Sequence, residues 1–304
     1  LADEIVSRFG AAPKSWCSYV QSRDEPHRHE VLANLLQSVD MKQAAGEHYL
    51  NQEAWDLFFI GLKEAHCAGH HFWDLSDPTH PDYNAALSGR LGQPLRIIFQ
   101  RLDQAVGRLV EAAGPDARVL LLATTKMEPN ASISHLHRRL GRRLNRAHAE
   151  NALTQAIRRA RRAPPPIEIL PYNENGTAIR INRDGARRDR LLADVERSLL
   201  ELTDARTGQA LAERAYHPSA DYPGPRANKL PDLLVRYRAG LKPSAITAPR
   251  LGRIEAPAPE YRSGNHACGP FAIGAGLDIG DIGSLEDIGA AVTAALGAKS
   301  ASGL

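Results

Sequence analysis

The stretch FFIGLKEAHCAGHHFWDLSDPTHPDY, residues 58–83, places Glu64, His66, Cys67, His70, His71, Asp74 and Asp77 directly after an apolar run. His66 and His70 are four apart, so on a helical turn they share a face and reach one cation, while His71 points elsewhere. Two imidazoles do not complete a site. The best third ligand in the sequence is His266, in the glycine-flanked turn SGNHACG. Glu64, Cys67 and Cys268 are possible additional ligands, and a neutral imidazole set with at most one thiolate or carboxylate favours zinc. The same residues also admit a plain structural reading. It makes the histidine pair a solvated helix face, Cys67 a small buried apolar side chain, and Asp74 and Asp77 turn or capping residues.

These groups need elements to hold them. EVLANLLQSV repeats apolar side chains at Val31, Leu32, Leu35, Leu36 and Val39, the period of a surface helix. DLFFIGL (56–62) and ARVLLLAT (117–124) are short apolar runs that suit strands buried on both faces. Between them, PLRIIFQRLDQAVGRLVEAAG predicts an amphipathic helix ending on Gly114. Further on come a hairpin around TAIRINRDG, a helix over 190–208, a strand at LPDLLVRY, a Pro/Ala-rich loop or excursion at 239–260, and a last helix at SLEDIGAAVTAALG. The alternation predicts an α/β fold with a mixed, mainly parallel sheet flanked by helices. A helical N-terminal segment over 1–50 precedes the α/β domain of 51–304.

The chain has 304 residues, enough for one large domain or two ordinary ones, and 43% hydrophobic residues to build a core. No apolar run approaches the roughly 18 to 20 residues of a membrane helix. Cys17, Cys67 and Cys268 are odd in number and widely spaced, which argues for a reducing compartment and a cytoplasmic setting. Net charge is only +3, yet residues 137–162 hold nine arginines and a single Glu. That invites a nucleic-acid reading. Against it, Leu136, Leu140, Leu144, Leu153, Ile157 and Ala160 form an inward stripe, and no stacking aromatic lies among them. The glycines of GAGLDIGDIG lack dinucleotide spacing, and no G-x-S-x-G occurs.

Taken in order, AWDLFFIGLKEAHCAGHHFWDLSDPTHPDYN, IFQRLDQAVGRLVEAAGPDARVLLLATTKMEPN, TAIRINRDG, LPDLLVRY, SGNHACGPFAIGAG and SLEDIGAAVTAALG resemble the later part of the alkaline phosphatase superfamily. The nearest branch is the type I phosphodiesterase and nucleotide pyrophosphatase group, with a likeness from about residue 50 to about 297. The resemblance implies that His66, His70 and His266 stand where an Asp and two His bind one zinc, the first carboxylate being replaced by imidazole. It implies a second metal at an adjacent Asp-His pair, where this chain carries Thr124 and Thr125, a degenerate site, although Met127, Pro129 and Asn130 fit the pattern. It assigns no nucleophile here, because the family's nucleophilic Ser or Thr lies on an upstream segment not matched in this sequence.

The implied function is metal-dependent hydrolysis of a small-molecule phosphate ester, by a fragment or a degenerate member of the family. Two other readings stand beside it: a non-catalytic zinc- or ligand-binding relative, and an arginine-rich nucleic-acid binder. The sequence leaves substrate identity and oligomeric state open.

Overall fold

A computed structural model describes residues 1–14, 20, 22–149, 154, 156, 160–171, 175–241, 243–256, 261–277, 279–280 and 282–297. Cys17, Leu153, Ile157, Arg158 and Arg159 lie outside the described residues. The first half of the chain runs α1 (Ala2–Phe9), α2 (Glu25–Leu50), α3 (Glu64–Phe72), α4 (Ala85–Arg90), α5 (Pro94–Ala113), β1 (Val119–Ala123), β2 (Lys126–Pro129) and α6 (His137–Ala147). Then follow β3 (Ile167–Ile169), β4 (Gly176–Ile181), α7 (Gly185–Leu200), β5 (Thr203–Asp204), β6 (Ala212–Tyr216) and α8 (Pro218–Asp221). The last are β7 (Leu233–Tyr237), β8 (Ala245–Thr247), β9 (Ile254–Glu255), β10 (Gly264–Ala267), β11 (Phe271–Ala275) and α9 (Leu285–Ala295). The chain divides into two compact units, residues 1–128 with 262–304, and residues 129–261.

In the first unit the long helices form where capping and periodicity agree. Asp24 accepts the His27 N–H at 2.8 Å and Pro26 occupies the first turn of α2. Val31, Leu35 and Val39 of α2 pack with Cys67 and Phe72 of α3 and with Leu95, Ile98 and Leu102 of α5. The α5 helix starts at Pro94 and stops at Gly114, whose φ of 87° belongs to the left-handed region glycine adopts without strain. A capping box of Ser284 and Asp287 opens α9.

The second unit has its own core, with Leu140 and Leu144 of α6, Ile179 of β4, Val195 and Leu199 of α7, and Val235 and Tyr237 of β7. Its strands form a four-stranded sheet in the order β3-β4-β7-β6 and a three-stranded sheet β5-β8-β9.

The protein is a mixed α/β chain, but the sheet expected to be mainly parallel differs. The registered pairs β1–β11, β3–β4, β4–β7, β6–β7, β5–β8 and β8–β9 are all antiparallel. One cause is local. The run at 56–62 forms no strand, and Leu57 and Phe59 are 55% and 85% exposed, so the anticipated strand-helix-strand unit around α5 lacks its first strand. The second strand of that unit, β1, pairs with β11 instead. The excursion at 239–260 holds the β8–β9 hairpin, turned at Gly252 with φ 65°, and buries Ile246 and Ile254. The helix expected at 190–208 is α7, beginning at Gly185 and ending at Leu200. Leu202 is buried beyond it, and Asp204 accepts the N–H groups of Arg206 and Thr207 in a turn. No described helix is long and apolar enough to cross a membrane.

Candidate metal centre

All parts of the candidate centre lie in the first unit. The four-residue spacing does place His66 and His70 together on α3, and β10 brings His266 to them. The Nε2 atoms of His66 and His70 are 3.1 Å apart, and those of His66 and His266 are 3.4 Å apart. Among the described residues these three form a group whose donor atoms all lie within 4.8 Å of one another. His70 is buried and the other two are half-buried, so the cluster opens on one side.

The orientation of His70 is fixed from behind. Its Nδ1 lies 2.8 Å from the Gly264 carbonyl, which can only accept, so Nδ1 carries the proton and Nε2 offers a lone pair to the cluster. Burial pushes the imidazole down to about 3, against the raising effect of the Gly264 bond, and Arg262, His66 and His266 lower it further. His70 is therefore neutral at ordinary pH, the form in which a histidine binds metal.

The helix end is tied to β10 by Ser263. Its N–H and Oγ both donate to the His70 carbonyl, at 2.8 and 3.1 Å, and its Oγ accepts the Trp73 N–H at 2.9 Å. This satisfies a carbonyl that a helix C-terminus would leave open. The buried His80 donates Nε2–H to the Ser263 carbonyl and accepts the Asp82 N–H on Nδ1. Contact is close enough to require glycine. A Cβ on Gly264 would stand 2.4 Å from the Gly69 carbonyl oxygen, and one on Gly69 would stand 2.6 Å from Met127.

The possible additional ligands go elsewhere. Glu64 is fully buried, accepts from Ser38 Oγ at 2.6 Å and pairs with Lys42 at 2.9 Å, joining α3 to α2. Cys67 belongs to the apolar core, as the plain reading had it, and Cys268 is an exposed free thiol. Thr124 and Thr125 follow β1 and are both exposed. Asp77 accepts from the Thr79 N–H and hydroxyl, a turn residue as expected. Asp74 is not one. It is buried and bound by both terminal nitrogens of the equally buried Arg28, at 3.1 and 2.7 Å.

The supporting residues Arg28, Ser38, Lys42, His80 and Ser263 were not marked by any local pattern, because each acts on a partner far away in the chain. Ser263 opens SGNHACG and His80 lies in the stretch 58–83, both singled out in the sequence, yet neither residue is marked there as a support.

A profile of the family described as Type I phosphodiesterase / nucleotide pyrophosphatase matches residues 5–247. The chain belongs to this family. The Type I phosphodiesterase family lies within the alkaline phosphatase superfamily and is metal-dependent, and its activities are of the phosphodiesterase and pyrophosphatase type. The matched span contains His66, His70, Thr124 and Thr125 and ends before His266, so the third imidazole is added by the geometry. Searches of curated proteins and of solved structures gave no match.

Proposed function

We propose that the chain is a phosphodiesterase-type hydrolase of small-molecule phosphate esters, with one zinc ion held by His66, His70 and His266. The observation that carries this reading is the convergence of three Nε2 atoms. Ligand nitrogens about 2.0–2.1 Å from a tetrahedral zinc stand roughly 3.3–3.4 Å apart; His66 lies 3.1 Å from His70 and 3.4 Å from His266, and all three donors lie within 4.8 Å of one another. Imidazole nitrogens this close repel one another unless a cation or a proton lies between them. The neutral, back-bonded His70 favours the cation.

Zinc bound there would polarise a phosphoryl oxygen as a Lewis acid. The chain's own contribution is to keep the imidazoles neutral and in register, through the Gly264 carbonyl and the Ser263 bonds. Thr124 and Thr125 supply no good ligand when neutral, which supports a one-ion centre and a degenerate second site. The same feature favours the second reading, a zinc- or ligand-binding relative without turnover. The nucleic-acid reading has less support, because no Phe, Tyr or Trp lies between His135 and Pro166 to stack a base beside the arginines. Cys268 as a free thiol fits a cytoplasmic setting.

Hydrolysis of bis(p-nitrophenyl) phosphate by the zinc-loaded chain tests the proposal. Turnover lost on chelation, restored by zinc and abolished by His70→Ala is the expected result. Turnover indifferent to both would contradict it, and stoichiometric zinc without turnover would leave the binding reading.

A further inference from the structure

The second unit carries a charged groove that this function does not use. It lies between α6 and residues 165–171 and encloses about 660 Å³. One wall is a row of arginines. Arg138, Arg142 and Arg146 recur every four residues on one face of α6, opposite the buried Leu140 and Leu144. All three are exposed, and none has an ion pair or hydrogen bond among the described residues. Residues 137–149 contain five arginines and no acid. Gly141 stands between the arginines, with only Ile169 across from it, so the floor is left open.

The other wall is apolar and ends in an unfinished sheet edge. Among the described residues β3 pairs with β4 alone, in the order β3-β4-β7-β6. The Leu170 N–H donates to Ala178 and the Asn182 N–H to Pro166, so residues 166, 168 and 170 face β4 while Ile167 and Ile169 turn their main chain outward. The outward groups of Ile167 are occupied by the Asn145 side chain, at 2.7 and 3.2 Å. Those of Ile169 have no partner among the described residues. The acid in this wall, Glu168, is engaged by Asn182 at 3.3 Å.

We infer that the groove binds an extended acidic peptide segment, its alternate carboxylates on Arg138, Arg142 and Arg146 and its main chain against Ile169. The spacing agrees. Helix positions four apart are about 6 Å apart along the axis, and alternate side chains of an extended chain are about 6.6–6.8 Å apart. The apolar wall, formed by prolines with Ile169 and Leu170, suits aliphatic side chains between the carboxylates. Among the described residues its lining holds no Phe, Tyr or Trp on which nucleobases would stack. Pro165, Pro166 and Pro171 keep the edge too short for general strand addition, which leaves charge to supply most of the affinity.

The test is fluorescence anisotropy of a labelled ten-residue peptide of alternating Glu and Val, with an oligothymidylate and inorganic polyphosphate as competitors. Variants are Arg142→Glu within the groove, Gly141→Leu on its floor, and Arg143→Glu on the same helix outside it, each checked for wild-type circular dichroism. We expect saturable peptide binding, weakened about tenfold or more by Arg142→Glu and by added salt. Gly141→Leu should weaken it as well, while Arg143→Glu changes it less than about threefold. Equal losses from Arg142→Glu and Arg143→Glu would reduce the groove to general positive charge and overturn the inference. Tighter binding of the oligonucleotide or polyphosphate than of the peptide, or no saturable peptide binding, would also overturn it.

Discussion

His70 is the most constrained of the three imidazoles, and its constraint has a thermodynamic consequence. Its ordinary value is 6.5 and its folded value about 3, so the unfolded chain binds a proton that the folded chain does not. The stability it contributes is fully present above pH 6.5 and is lost as the pH falls from there towards 3, with a slope of at most about 1.4 kcal/mol per pH unit. Urea unfolding of the zinc-free chain at pH 7, 5.5 and 4.5 should show this slope, and His70→Gln should flatten it. A parallel loss in the variant would place the sensitivity elsewhere. Asp74 makes a second residue-scale prediction. Removing one member of its buried pair with Arg28 strands the other charge, so Asp74→Ala should cost ~3–5 kcal/mol of unfolding free energy in denaturant titration. A cost under about 1 kcal/mol would mean that water reaches Arg28. At this scale the four-residue spacing of His66 and His70 was legible, because helical periodicity is local. The partnership of Asp74 with Arg28, 46 residues away, was not, and an Asp in WDLSDP looks the same whether it caps a turn or holds a buried guanidinium.

The centre exists because two elements, α3 and β10, approach more closely than side chains normally allow. β10 reaches α3 at Gly264, where an added Cβ would meet the Gly69 carbonyl oxygen, a backbone atom that cannot swing aside. Gly264→Ala should therefore destabilise the chain by about 1–3 kcal/mol and lower zinc affinity by displacing His266 and the carbonyl that orients His70. Isothermal titration with zinc checks the second effect, and unchanged affinity would show that β10 adjusts freely. Element identity was readable where two signals coincided. α5 has apolar spacing together with Gly114 at its end, whereas α2 showed its stripe alone and the Asp24 cap that opens it was not read. DLFFIGL had composition alone. A short apolar run looks the same as a buried strand or as an exposed connection, and the decision depends on a pairing partner that composition does not name. Sheet direction failed for the same reason, since β1 finds its partner in β11 from the far end of the chain.

The division of the molecule carries its own expectation. Residues 129–261 are contiguous and have a separate core around Leu144, Ile179, Leu199 and Tyr237. Expressed alone, this unit should give a cooperative thermal transition by circular dichroism, and a broad, non-cooperative melt would show that its core needs the rest of the chain. The Pro/Ala-rich composition of 239–260 hid the hairpin that completes this core, because Ile246 and Ile254 count as core only once β5 lies beside them. The other unit contains every ligand of the proposed centre, so the functional account depends on whether its histidines hold a metal ion. Elemental analysis of the purified, zinc-equilibrated chain beside its His66→Ala and His266→Ala variants tests this most directly. About one zinc per chain is expected, lost in both variants. No zinc in the parent chain, or zinc retained by the variants, would contradict it.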